Sequence, residues 1–173
     1  MFEVLNQHYI GLGYKRLGYT LVEMLITISI LAILSALTAP SMAPFVAGQQ
    51  LKALTQDLTD TLQLARSESL VNGTPYRITP ISNNWSNGWN IDFRLGSGSY
   101  AIFKRYPQNN PRLYIAAASR TGSSQQIAFD QNARVSSVMR FEVNHNELNI
   151  QPYCIEIAAS GNTQVIRGVC NVF

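Results

Sequence analysis

Leu17-Gly18-Tyr19-Thr20-Leu21-Val22-Glu23-Met24-Leu25-Ile26-Thr27 is the stretch that decides how this chain of 173 residues folds. Lys15-Arg16 stands just before it, and an almost unbroken apolar run from Ile28 to Ala39 follows. From Thr20 to Ala39 the only ionisable group is Glu23. As a helix rising about 1.5 Å per residue, this segment reaches about 30 Å, the thickness of a hydrocarbon core. A carboxylate in such a span costs roughly 2.5–3.5 kcal/mol near the bilayer centre, so it needs a partner. The basic pair places the N-terminal side in the cytoplasm and the remainder outside. The run is too long for a secretory signal peptide and has no small-x-small site before a polar start.

Gly18-Tyr19-Thr20-Leu21-Val22-Glu23 resembles the class III signal of type IV prepilins and type II secretion pseudopilins. The resemblance implies that residues 1–18 are a leader, cut by a prepilin peptidase between Gly18 and Tyr19. It implies N-methylation of Tyr19, where the family usually has phenylalanine. It also gives Glu23 an assembly role, meeting the N-terminal amine of a neighbouring subunit. That role fits the physics, because a buried carboxylate is tolerable when paired.

Beyond the span, Pro40 and Pro44 each remove a helical hydrogen bond and favour a bend. The pattern then resumes. Leu51, Leu54, Leu58, Leu62, Ala65 and Ser69 recur at three- and four-residue steps, one amphipathic stripe seated on a sheet. A single helix is therefore expected from Tyr19 to about Val71, stopped by Asn72-Gly73-Thr74-Pro75. From Tyr76 the period becomes two. Trp89, Ile91, Phe93 and Leu95 alternate with Asn90, Asp92 and Arg94, as in a half-buried strand. Tyr100 to Tyr106 and Ile127 to Phe129 read as strands, and Met139, Phe141 and Val143 mark another. Asn144-His145-Asn146 reads as a turn. The fold class is α+β and type IV pilin-like. Its long N-terminal helix, transmembrane in one half and amphipathic in the other, packs on an antiparallel β-rich domain. The expected division is 1–18 leader, 19–45 transmembrane and assembly helix, and 46–173 globular periplasmic domain.

Ala65-Arg66-Ser67-Glu68-Ser69 is similar to the Ala-Arg-Ser-Glu-Ala stretch of GspH/FimT-type minor pilins, and Asn87-Gly88-Trp89 resembles the Gly-Trp strand start of that group. Cys154 and Cys170 make an even count on the exported side, which reads as one disulfide. The two are symmetric about Asn162, so a hairpin turning on Gly161-Asn162-Thr163 places them opposite each other.

Catalytic chemistry has no candidate. After cleavage His145 is the only histidine, no His/Cys/Asp cluster has metal-ligand spacing, and Gly96-Ser97-Gly98-Ser99 lacks the lysine and helix of a P-loop. No enzyme activity, cofactor or metal is expected. The net charge of +3 is modest, but seven basic residues from Arg94 to Arg140 face a single acid, Asp130. Lys104, Arg105, Arg112 and Arg120, interleaved with tyrosines, are the residues on offer for DNA or partner contacts. The main reading is a non-enzymatic minor pilin or pseudopilin, one membrane pass in the inner membrane, in an initiation or tip complex with other pilins. It leaves pilus and secretion system undivided. The alternative is a pilus-borne DNA receptor for natural transformation, although the Gly-Arg-x-Arg motif of such receptors is absent: the tail reads Gly161-Asn162-Thr163-Gln164-Val165-Ile166-Arg167-Gly168.

Overall fold

Thr20 opens the first helix. The computed structural model describes residues 18–38, 42–120, 125–135 and 137–171, with α1 over Leu21–Thr38. Thr20 Oγ1 accepts the Glu23 N–H at 3.2 Å, as an N-capping threonine three residues before a glutamate does. Glu23 therefore sits in the first turn, where the positive end of the helix favours a carboxylate. Thr27 and Ser29 donate their hydroxyls to the carbonyls of Met24 and Leu25 at 2.9 and 2.7 Å, so both are satisfied within the helix. The side chains of residues 21–36 are all exposed. Its 18 residues span ~27 Å. Among the described residues no helix is long and apolar enough to cross a membrane, and the span read from the sequence runs on into residues 39–40, outside the described ones.

The chain divides into two compact units, residues 1–40 and 41–173. Two helical stretches are described where the sequence suggested one helix, α1 and α2, the latter over Ala43–Asn72; residues 39–41, between them, fall outside the described ones. Pro44 lies in its first turn, where no N–H is required, so it starts a helix and bends none. Pro40 falls outside the described residues. The stripe on α2 is buried as expected, from Ala47 through Leu51, Leu54, Leu58 and Leu62 to Ala65 and Ser69. Thr55 and Thr61 join it by donating to carbonyls one turn back. Gly73, at φ 60°, ends the helix in the left-handed conformation that glycine adopts freely.

Eight strands follow: β1 (Tyr76–Pro80), β2 (Gly88–Arg94), β3 (Tyr100–Pro107), β4 (Leu113–Ser119), β5 (Ile127–Phe129), β6 (Met139–His145), β7 (Tyr153–Ile157) and β8 (Thr163–Arg167). They form two antiparallel four-stranded sheets, ordered β3-β2-β1-β5 and β4-β6-β7-β8. Helix α2 covers both. Its leucines meet Ile78, Ile91, Ile127 and Phe129 from the first sheet and Met139, Phe141, Val143, Ile155 and Ile157 from the second. Trp89 is buried and donates its indole N–H to Thr61 at 3.1 Å, pinning sheet to helix. Trp85, from a short 3-10 turn, packs edge-on against Phe141 with ring centroids 4.7 Å apart.

Three expectations are corrected. Leu95 does not face the core: β2 ends at Arg94, and Leu95 enters a turn closed by its N–H to the Ser99 carbonyl. It is 40% exposed, whereas its neighbour Asp92, expected outside, is 5% exposed. Asp92 is covered by Arg77, whose Nε donates to it at 3.1 Å, and by Thr79 at 3.0 Å, with the Tyr100 ring lying over Arg77. His145 is no turn residue. It ends β6, is buried, and its Nδ1 accepts the N–H groups of Glu147 and Leu148 at 3.1 Å each.

The third correction concerns the cysteines. The disulfide Cys154–Cys170 is present, with Cα atoms 5.1 Å apart. The hairpin, however, has a different register: Cys154 opposes Ile166, and the loop runs from Ala158 to Asn162. Cys170 lies past the end of β8. The chain reverses at Gly168, φ 134°, and brings Cys170 back onto the face that Cys154 shares with Glu142. Glu142 accepts the Cys170 N–H at 3.1 Å, and the Arg140 guanidinium donates to the Asn171 carbonyl. The bridge thus straps the tail across the sheet instead of stapling two paired strands. Replacing Cys154 and Cys170 together by alanine is expected to lower unfolding free energy by about 3 kcal/mol, the entropic value for a loop of this length. Urea unfolding of the oxidised protein and the double variant measures it, and coincident curves contradict it.

Candidate functional site

The N-terminal residues that the sequence singled out stand in the open. Gly18, Tyr19 and Thr20 have no regular structure and precede α1 directly. Tyr19 is 81% exposed. A Cβ built on Gly18 meets nothing within 4 Å, so the described fold does not itself require glycine there. Glu23 is exposed one turn away and makes no ion pair among the described residues. Around it α1 carries an apolar surface on every side, with Leu21, Val22, Met24, Leu25 and Ile26 all more than half exposed. A helix with such exposed apolar side chains needs lipid or other protein around it.

The basic residues are divided between the sheets. Lys104 and Arg105 lie on β3, the edge of the first sheet. The Lys104 ammonium sits 4.7 Å from the centre of the Tyr106 ring, and Arg105 Nε donates to Asn90 at 3.0 Å. Arg112 and Arg120 flank β4, the edge of the second sheet. Arg112 is paired with Glu147 at 3.2 Å, both side chains well exposed. Arg120 follows the far end of the strand, ~25 Å from Arg112 by strand rise. The four do not form one cluster. Arg140 is paired with Glu156 at 2.7 Å.

The Ala65–Asn72 segment has internal duties. Arg66 and Glu68 do not pair. Glu68 accepts the Asn72 amide at 2.8 Å, and that amide also donates to the Tyr76 hydroxyl at 3.1 Å, tying the helix end to β1. Arg66 Nη2 donates to the Ser160 carbonyl at 3.3 Å, a contact 94 positions away that no local pattern could reveal. The Gly88-Trp89 pair also has a structural reason: a Cβ at Gly88, φ 97°, would lie 2.1 Å from the Tyr106 carbonyl oxygen. Among the described residues, no three His, Cys, Asp or Glu side chains come together to hold a metal ion.

Two family models match the sequence. "Type II transport protein GspH" covers residues 54–161, and "Prokaryotic N-terminal methylation motif" covers residues 14–39. No curated protein matches by sequence. Among solved structures, the fold is similar to the type IV minor pilin FimU of Pseudomonas aeruginosa, at 21% identity and TM-score 0.58, over 70% of this chain and 92% of that one. It is also similar to the minor pseudopilin EpsH from the type 2 secretion system of Vibrio cholerae, at 8% identity and TM-score 0.56, over 67% of this chain and 95% of that one. At these identities the likeness speaks for the fold.

Proposed function

The chain belongs to the GspH family of type II transport proteins, whose model matches more than half of it, and from that premise we propose that it is a minor subunit that helps to initiate or cap a type IV pilus or a type II secretion pseudopilus. The observation that carries this reading is the N-terminal methylation motif over residues 14–39. In its midst stand an exposed Gly18-Tyr19 bond and Glu23, which has no ion pair among the described residues, on a helix of exposed apolar side chains. In this reading a peptidase cuts after Gly18 on the cytoplasmic face and Tyr19 is methylated. The new amine of one subunit then meets Glu23 of its neighbour. Such pairing removes the cost of a lone carboxylate among apolar side chains, and helix packing between subunits covers the rest of α1. The span is an inner-membrane anchor before assembly and filament core after it, while residues 46–173 face the periplasm. Deleting the chain tests this. Loss of surface fibres assigns it to a pilus, retention of exported proteins in the periplasm assigns it to secretion, and no change in either contradicts the proposal.

One observation favours a second reading. Neither β3 nor β4 contains an acidic residue, and β3 exposes Arg105 and also Lys104, which lies over the Tyr106 ring. A DNA receptor built on them would retard duplex DNA with an affinity that falls steeply with salt. The expected result for a receptor is loss of retardation on combining Lys104→Glu with Arg105→Glu. Absence of retardation by the full-length protein in detergent, or retardation untouched by that variant, ends this reading.

A further inference from the structure

Arg66 lines a cavity of about 430 Å³ between α2 and the β7–β8 turn. Its Nε is buried and donates to nothing among the described residues, and Nη2 has the single long bond to the Ser160 carbonyl. Gly161 closes tightly on the same guanidinium: a Cβ there would stand 2.9 Å from Arg66 Nε and 2.4 Å from the Ala133 carbonyl oxygen. The guanidinium is therefore held in place by backbone on one side, at the expense of one orphaned donor. Gln63, Ser67, Asn162 and Thr163 supply the other polar walls, with Leu70 at the rim. No carboxylate lines the cavity, so its one charge has no counterion from the residues that form it.

The Nε–H is sealed against Gly161, so recognition falls to the terminal nitrogens; a guanidinium with no counterion in its cavity, beside hydroxyl and amide groups, is a receptor for a carboxylate. We propose that this cavity is a carboxylate site, filled in the assembled state by an acidic side chain of a neighbouring pilin-like subunit. The inference rests on the assembly reading above for the source of the carboxylate. The chemistry of the site stands on Arg66 alone. Acetate is the probe. Full-length protein in detergent micelles, labelled with nitrogen-15, is titrated with sodium acetate against sodium chloride at equal ionic strength. The amides of Ser67 and Thr163 are expected to shift saturably with acetate and not with chloride. Arg66→Gln abolishes the shift. Because Arg66→Gln also removes the bond to Ser160 and could unfold the turn, Ser67→Phe, an exposed helix position that blocks the mouth, is the second variant. It is expected to fold, to lose acetate binding, and to lower recovery in sheared fibres about tenfold, as the loss of one charge-assisted contact does. No saturable shift, equal shifts with chloride, or acetate binding retained in Arg66→Gln overturns the site. Acetate binding together with normal fibre recovery of Ser67→Phe overturns the subunit as its source. Glu23→Ala in parallel separates this from the parent reading, since it blocks assembly without touching acetate binding.

Discussion

Glu23→Ala is expected to leave the protein membrane-bound and cleaved but to remove it from assembled fibres by tenfold or more. The substitution makes the apolar span more apolar, so insertion is not weakened; Glu23 stands in the first turn, near the end of the span, where a carboxylate costs less than the roughly 2.5–3.5 kcal/mol of the bilayer centre. Helix formation is little affected, because the Thr20 cap that starts α1 uses the backbone N–H of residue 23 and not its carboxylate. What disappears is the only carboxylate of α1, which has no ion pair among the described residues of its own chain. An amine left unpaired in an apolar filament core costs several kcal/mol, which exceeds the tenfold threshold of 1.4 kcal/mol. Quantifying the chain in sheared fibres and in membranes checks this. Equal fibre content in both proteins contradicts the pairing argument, and loss from the membrane would show that Glu23 acts on insertion instead.

Gly88→Ala carries the largest expected effect on stability. The added Cβ falls 2.1 Å from the Tyr106 carbonyl oxygen and 2.7 Å from the Gln108 nitrogen, both backbone atoms of the neighbouring strand end. The residue also holds φ at 97°, which alanine adopts only under strain. Neither side of this contact can yield without opening the β2–β3 pairing at Gly88 and Pro107. The expected loss is roughly 3–5 kcal/mol, a large share of the stability of an ordinary domain. Gly48→Ala is the control. Gly48 lies within α2 with nothing near its Cβ position, and alanine there is expected to stabilise by about 0.5–1 kcal/mol. Urea midpoints that rank the two variants in the opposite order contradict this account of the Gly88-Trp89 pair.

The first helix was legible because it is apolar almost throughout, and α2 because it obeys one period for many residues. The α2 stripe repeats from Leu51 to Ser69 and is buried throughout, and Gly73 ends it where the turn residues begin. The strands were legible only where large and polar residues alternate, as in β6, whose inward residues are all apolar until His145. β4 escaped notice because Ala116, Ala117 and Ala118 carry no contrast between faces. The outward face of the first sheet misled for a different reason. Asp92 is buried by Arg77 and Tyr100, contacts that depend on two neighbouring strands and so leave no mark on the alternation of β2. The cysteine pair shows how a right conclusion can stand on a wrong register. Their bond is there, but the loop is centred nearer Ser160, and the tail reaches Cys154 by reversing at Gly168. The N-terminal residues were the clearest signal of all. Among the described residues nothing demands glycine at 18 and no ion pair holds the Glu23 carboxylate.

The Arg66 contact marks the limit of sequence reading. A guanidinium on α2 and a carbonyl at Ser160 come together only because both sheets pack on one helix. That same packing sets the guanidinium in a cavity lined by no carboxylate, which is why the proposed site could emerge only from coordinates.

Intact mass and N-terminal peptide analysis of the chain recovered from fibres or pseudopili tests the central claim most directly. The account predicts a single mature species that begins at Tyr19, carries one added methyl group on its amine, and keeps the Cys154–Cys170 bridge. A fibre-associated chain that still contains residues upstream of Tyr19, or a mature chain found only outside the fibres, would contradict it.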